Sequence, residues 1–146
     1  VTRLDGAPAL RLLNGLRDLP SYNASLGARG SMLATEMGRV LGRIEERTVN
    51  DAVPTAIVAQ VGNGAVNVRC GKPDQGSYDW LGLGSWMRNE VREVGGYVLF
   101  DLVPAEAREH LDPWGESIPG LELMRRIKKA LDPRDILSPG RFVGGI

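Results

Sequence analysis

Four stretches of the chain carry apolar residues at helical spacing. In each stretch one face is apolar and the other polar, which is the pattern of an amphipathic helix packed against a core. Prolines and glycines close to several of their ends favour helix boundaries there. We therefore predict helices over Pro8–Leu19, Leu33–Arg47, Leu83–Val94 and Pro119–Leu131.

Other stretches follow the two-residue period of β-strands. Thr55–Val61 is rich in β-branched residues, and Ala65–Cys70 alternates strictly, so both are predicted strands. Asn63-Gly64 lies between them and favours a two-residue type I′ hairpin turn. Tyr97–Val103 and the short Val1–Asp5 complete the predicted strands. We interpret Ser21–Gly30 as a surface loop because it has no period and is rich in small residues.

The order of these elements predicts the fold class. Strand, helix, hairpin strands, helix and strand make the βαββαβ pattern of a ferredoxin-like α+β fold with an antiparallel sheet. The helix at Leu33–Arg47 is interpreted as an insertion, and the helix at Pro119–Leu131 as a C-terminal addition. Helices should cover one face of the sheet and leave the other for water, a ligand or another domain.

The composition of the chain excludes several classes of protein. With 146 residues, one domain over 1–146 is expected, and 18 basic against 18 acidic residues lack the positive excess of a general nucleic-acid binder. A single cysteine and a single histidine cannot build a structural zinc site or an internal disulfide. We expect a soluble cytoplasmic protein without nucleic acid or metal. The start at Val1, without Met, indicates a piece of a longer polypeptide.

Familiar catalytic motifs are absent. The chain lacks a G-x-G-x-x-G, P-loop, H-E-x-x-H or G-x-S-x-G pattern, and no residue stands out as a catalytic base. Cys70 is interpreted as a buried structural thiol and His110 as a solvated side chain. Gly38 and Gly42, four residues apart on a predicted helix, favour close helix packing.

Two groups of polar residues are candidate binding sites. Asn67 and Arg69 alternate with the apolar residues of their strand, so they face away from the core and could meet a substrate carboxylate, or form an ordinary exposed strand face. Ser138-Pro139-Gly140-Arg141 forms a rigid turn that offers backbone groups and a guanidinium, either as a ligand loop or as a structural turn.

The C-terminal run from Leu123 to Ile146 resembles the closing segment of FAD-linked oxidases of the vanillyl-alcohol-oxidase type. The resemblance lies in a basic helix followed by Asp132-Pro133, the apolar pair Ile136-Leu137, and Ser138-Pro139-Gly140-Arg141. Within that family the segment looks most like the FAD-binding E subunits of bacterial glycolate oxidases. Gly95-Gly96 and Asp112–Gly115 fit the same pattern, so the resemblance is specific over about the last fifty residues.

This resemblance implies a role. Such proteins hold FAD in an N-terminal domain, and a ferredoxin-like C-terminal cap domain covers the flavin and forms the substrate pocket. Pro139 and Gly140 match the family's Asn-Pro-Gly turn near the flavin, Arg141 matches a basic position, and Ser138 replaces the usual Asn. These four residues are therefore the expected cofactor contacts, and the chain alone should neither bind FAD nor be active.

The resemblance also implies partners and a reaction. The expected partners are the chain's own N-terminal FAD-binding domain, other glycolate oxidase subunits including an iron–sulfur subunit, and a small 2-hydroxy acid oxidised by hydride transfer to flavin. The expected location is the cytoplasm, or the inner face of the membrane if such subunits attach the protein there.

Related subunits contain histidines in a Gly-His-x-Gly-Asp-Gly-Asn-x-His motif. The corresponding segment of this chain, Val61–Asn67, contains no histidine. A free-standing ligand-binding, regulatory or subunit-interaction module is the alternative.

Overall fold

The computed structural model describes residues 5–18, 24–74, 76–115 and 118–146. Within these residues the helices are α1 (Ala7–Asp18), α2 (Ala34–Asn50), α3 (Trp80–Glu93) and α4 (Leu121–Leu131). The strands are β1 (Leu26–Ser31), β2 (Thr55–Gln60), β3 (Ala65–Cys70) and β4 (Tyr97–Leu102). All four predicted helices and three of the predicted strands are confirmed.

The four strands form one antiparallel sheet in the order β2-β3-β1-β4. With α2 between β1 and β2, and α3 between β3 and β4, this is the predicted βαββαβ arrangement. The ferredoxin-like α+β class is therefore confirmed. The two central strands are β3 and β1, which pair with Ala28 opposite Val68.

The prediction of a loop over Ser21–Gly30 is wrong from Leu26 onward, because β1 begins there and lies in the middle of the sheet. Its sequence, LGARGS, lacks the β-branched residues that mark a strand. Small residues are required here: a Cβ added at Gly30 would lie 2.6 Å from the carbonyl oxygen of Tyr97 on β4. The predicted strand at Val1–Asp5 falls mostly outside the described residues, and Asp5 is not in a strand.

The position of β1 also changes the roles of two helices. Since β1 follows α1, the helix that connects β1 to β2 is α2, which the sequence pattern presented as an insertion. The extra helix is α1 at the start of the chain. Its leucines are more than half exposed at Leu10, Leu12 and Leu13.

The core lies between one face of the sheet and the inner sides of α2 and α3. The strand residues on this face alternate, as the pattern of Val66, Val68 and Cys70 predicts. These side chains and those of the two helices are almost fully buried. They include Leu26, Ala28, Met37, Val40, Ile44, Leu83, Met87, Val91, Val98 and Phe100.

The hairpin between β2 and β3 is confirmed, but the type I′ turn is wrong. Gln60 pairs with Ala65, so the loop contains four residues, and a positive φ occurs at Gly64 (73°) but not at Asn63. A type I′ turn needs a positive φ at both central residues. The Asn63 side chain instead accepts a hydrogen bond from the Ala65 N–H at 3.0 Å.

The predicted glycine cap of α3 is confirmed. Gly95 has a φ of 72°, its N–H donates to the Arg92 carbonyl at 2.9 Å, and the Gly96 N–H donates to the Val91 carbonyl at 3.0 Å. These two bonds form a Schellman motif, which satisfies carbonyls that the helix end would leave unpaired.

Gly38 and Gly42 do not pack closely against another helix, contrary to expectation. A Cβ added at either position would meet nothing within 4 Å. Both line an open groove of about 560 Å³ between α2 and the edge strand β2.

The chain divides into two compact units, Val1–Pro113 and Trp114–Ile146. The first contains the sheet with α1, α2 and α3, and the second contains α4 and the C-terminal turns. In the described part of the chain, no helix is both long and apolar enough to cross a membrane.

Candidate functional site

The face of the sheet opposite the core carries the first candidate site. Asn67 and Arg69 lie on this outer face of β3, as their alternation with buried residues predicts. The strand register places Arg29 of β1 directly opposite Asn67, and Gly27 directly opposite Arg69. The structure therefore adds a second arginine to the predicted pair.

Arg69 is buried, with only 2% of its surface exposed. Its two terminal nitrogens, Nη1 and Nη2, donate to the two carboxylate oxygens of Asp101 at 2.8 and 2.7 Å. Nη1 also donates to the Val68 carbonyl at 3.2 Å. A bidentate pair of this kind is strong and directional, and it anchors Arg69 within the sheet.

A β-bulge directs Asp101 toward the two arginines. Ala28 pairs with Phe100 and Gly27 pairs with Leu102, so Asp101 is an extra residue of β4 without a partner opposite it. Bulges commonly re-aim a side chain in this way. Arg29 Nε lies 2.6 Å from Asp101 Oδ2, and the Arg29 side chain remains 54% exposed.

Gly27 makes space for this cluster. A Cβ at position 27 would lie 2.6 Å from both Arg69 Nη1 and Asp101 Oδ1. The absence of a side chain lets the ion pair lie across the backbone of β1. Arg29, Arg69 and Asp101 carry two positive charges and one negative, which leaves a positive excess on the outer face.

Sequence reasoning missed Gly27, Arg29 and Asp101 as site residues. A period of two in Leu26–Ser31, with Leu26, Ala28 and Gly30 on one side, was available as a signal for Arg29. No local pattern indicates the bulge at Asp101, because it depends on the pairing of β4 with β1.

The turn at Ser138–Arg141 is the second candidate site and lies in the second unit. All four residues are exposed, and the Arg141 N–H donates to the Ser138 carbonyl at 3.2 Å. Ser138 and Gly140 have positive φ values of 48° and 69°. The turn is tight, as Pro139-Gly140 predicts, and it projects both the hydroxyl and the guanidinium outward.

Asp132 holds the segment that leads into this turn. Its carboxylate accepts hydrogen bonds from the N–H groups of Ile136 and Leu137 at 3.0 and 2.9 Å. Lys128 Nζ donates to Asp132 Oδ2 at 2.6 Å and to the Leu137 carbonyl at 2.7 Å. The bond from Lys128, followed by those from the two backbone N–H groups, lowers the pKa of Asp132 to about 2.

We expect acid to release this segment. Because the pKa of Asp132 is lowered from 3.8 to about 2, its carboxylate stabilises the turn above pH 4, and this contribution is lost as the pH falls through about 2. The protection factors of the Ile136 and Leu137 amides, which compare each exchange rate with that of an unstructured peptide at the same pH, should fall over that range. In Asp132→Asn they should be lower at neutral pH as well.

Asp135→Asn is the matched control for this prediction. Asp135 also lies near Lys128, at 3.2 Å, but its side chain is 63% exposed and bonds neither amide. Amide protection in Asp135→Asn should equal that of the original chain. Unchanged protection in Asp132→Asn would contradict the role assigned to Asp132.

An apolar groove of about 370 Å³ lies beside the turn, lined by residues of the second unit: Met124, Ile127, Lys128, Leu137, Ser138, Phe142 and Ile146. Its volume is near the lower end of sites for drug-sized ligands, roughly 300–1,000 Å³. FAD is larger than such ligands. Ser138 is the residue of this turn that lines the groove, and the groove is too small to hold a complete FAD.

Cys70 is buried, as predicted, and burial raises the pKa of its thiol to about 11 from an ordinary value of 9.0. His110 is exposed, also as predicted. We expect alkylation of Cys70 in the folded chain to be at least about a hundredfold slower than in the urea-unfolded chain. Equal labelling rates followed by mass spectrometry would contradict this.

Within the described ranges, no group of three or more His, Cys, Asp and Glu side chains is placed to hold a metal ion. The cluster on the outer sheet face is dominated by guanidinium groups, which bind anions.

Comparison with known protein families gives a match to the C-terminal part of the chain. Residues 107–142, about a quarter of the chain, match the family described as FAD linked oxidases, C-terminal domain. The match supports a C-terminal domain of an FAD-linked oxidase. It includes the Ser138–Arg141 turn and the Asp132 segment that holds it. Searches of curated proteins and of solved structures found no match.

Proposed function

We propose that this chain is the C-terminal part of an FAD-dependent oxidoreductase that oxidises a small 2-hydroxy acid of the glycolate or D-lactate class, in the manner of a glycolate oxidase E subunit. The observation that carries the oxidoreductase assignment is the family match over residues 107–142. The match concerns the domain family, and the substrate class is our own extension of it.

The positive excess on the outer face of the sheet supports a carboxylate substrate. Asn67 and Arg69 are the residues expected from the sequence, and Arg29 is the most exposed cation of the same cluster. An arginine fork matches the two oxygens of a carboxylate. When bound, FAD would supply the redox chemistry by accepting a hydride, and the role of this chain's residues is to bind and orient the acid.

The second unit supports a contact with the flavin-binding part of such an enzyme. In α4 none of the residues is buried, and Ile127 and Leu131 are 49% and 79% exposed. An exposed apolar helix face surrounded by basic residues is typical of a surface that a partner covers. We propose that the chain's own FAD-binding domain covers it and that Ser138–Arg141 contact the cofactor there.

Further partners are part of the proposal. They are the other glycolate oxidase subunits, including an iron–sulfur subunit that would receive electrons. We propose that the protein lies in the cytoplasm, or at the inner face of the membrane if those subunits attach it there. The second candidate function is a subunit-interaction or ligand-binding module without catalysis, which the exposed apolar side of α4 also favours.

The test uses the protein expressed from the whole gene that encodes this chain. We expect the purified protein to be yellow, and its flavin absorbance to bleach when glycolate or D-lactate is added without oxygen. The 146-residue chain alone should be colourless. A colourless whole protein would favour the module without catalysis, and a flavin that neither acid reduces would contradict the substrate class.

A further inference from the structure

The two arginines on the outer face of the sheet are not equivalent. Arg69 is 2% exposed and both its terminal nitrogens bond Asp101, so it contributes charge but cannot reach a ligand. Arg29 is 54% exposed and meets Asp101 through Nε. Of the two, only Arg29 presents its guanidinium to solvent.

Arg29 has donors left for a ligand. Its Nε is engaged by Asp101 Oδ2 at 2.6 Å, and in the described part of the structure no hydrogen bond is made by its Nη1 or Nη2. Those two nitrogens form the end of the guanidinium fork, which matches the spacing of two carboxylate oxygens. The single negative charge of Asp101 is shared with Arg69, so the cluster keeps a positive excess.

Asn67 lies beside this fork. It is directly opposite Arg29 in the β1–β3 register, on the same face, and is half-buried. Directly opposed residues of antiparallel strands have Cβ atoms about 4.5–5.5 Å apart. No side-chain hydrogen bond of Asn67 is present among the described residues, so its amide can donate to a ligand oxygen that Arg29 holds.

We propose that Arg29 and Asn67 form a binding site for a small carboxylate. Asp101 fixes the Nε edge of Arg29 by an ion pair, and the buried Arg69 fixes Asp101 in turn. Gly27 leaves the space in which this arrangement lies. The sequence predicts Arg69 as a substrate contact, whereas in this proposal the contacting arginine is Arg29. As a substrate site it rests on the proposed function, but the binding itself requires no flavin.

The experiment is a titration of the ¹⁵N-labelled 146-residue chain with sodium glycolate, followed by NMR. The Arg29 Nε–H and Asn67 side-chain amide signals should shift saturably, with a dissociation constant of about 10 mM, as expected for one charge-assisted contact. Sodium chloride at equal ionic strength and glycolamide, which lacks the carboxylate, should leave these signals unchanged. Equal shifts with either compound would overturn the proposal.

Variants locate the site. Arg29→Gln should weaken glycolate binding at least about tenfold, and Arg29→Lys, which keeps the charge but not the fork, should weaken it by an intermediate factor. Arg39→Gln is the matched control, since Arg39 is 50% exposed and also pairs a carboxylate through Nε, but on α2. Undiminished binding by Arg29→Gln would place the carboxylate elsewhere.

This result is independent of the flavin test. Saturable binding at Arg29 with no reduction of flavin by glycolate would support the carboxylate site and contradict the proposed activity. Reduction of flavin by glycolate in a whole protein whose Arg29→Gln variant keeps the same KM would support the activity and overturn the site.

Discussion

Gly64→Ala should destabilise the protein by about 3 kcal/mol, because two unfavourable effects act at one position. Gly64 has a φ of 73°, which costs a residue with a side chain about 1–2 kcal/mol. A Cβ there would also collide with the carbonyl oxygen of Met32, a backbone atom that cannot move away by rotation. Urea unfolding followed by circular dichroism measures the change.

The position of Gly64 explains why the effect should reach beyond the hairpin. Its own carbonyl accepts a hydrogen bond from the Met32 N–H at 3.1 Å, immediately after β1. The loop between β2 and β3 is thereby attached to the end of the central strand β1. Displacing it should weaken the β1–β3 pairing as well as the turn.

Gly62→Ala is the matched control in the same loop. Gly62 lacks a positive φ, and a Cβ there would meet nothing within 4 Å. Its change in unfolding free energy should stay within about 0.5 kcal/mol, as for ordinary surface substitutions. Equal losses in the two variants would contradict the role assigned to the contact with Met32 and to the positive φ of Gly64.

Asp101→Ala should have a similarly large effect. Removing the carboxylate leaves the guanidinium of Arg69, which is 2% exposed, without its charged partner. Breaking a buried ion pair in this way typically costs about 3–5 kcal/mol, and because Asp101 itself is 30% exposed we expect about 3 kcal/mol. Thermal and urea unfolding both measure this loss.

A double variant separates the buried charge from lost packing. Asp101→Ala combined with Arg69→Met removes both charges, and it should recover a large part of the stability because no charge remains buried unpaired. Glu36→Ala, which breaks the exposed pair with Arg39 on α2, should cost less than about 0.5 kcal/mol. A double variant less stable than Asp101→Ala would contradict this account.

The helices and the hairpin could be predicted because their signals are local. An apolar stripe along Leu83–Val94 followed by two glycines determines α3 and its cap within about fifteen residues of sequence. Strict alternation in Ala65–Cys70 likewise identifies β3 and the side of it on which Asn67 and Arg69 lie. In the first unit the order of the predicted elements gives the correct fold class, although the prediction placed the first strand at Val1–Asp5 and not at β1.

Strand β1 could not be predicted in the same way. Leu26–Ser31 has the composition of a loop, with Gly27 and Gly30 in six residues. It is a strand because β3 and β4 pair with it on both sides, and its glycines allow neighbouring groups such as the Tyr97 carbonyl to approach closely. Tertiary pairing overrides local propensity at this position.

The candidate sites show the same difference between what local sequence predicts and what tertiary pairing decides. By itself the sequence determined which residues lie on the outer face of β3 and where the tight turn at Ser138–Arg141 occurs, since both depend on residues close together in the chain. The tertiary structure alone decided that Arg69 is buried against Asp101 and that Arg29 faces solvent. Those contacts join strands up to about seventy residues apart through a bulge, and strand register over such distances is set by packing of the whole sheet.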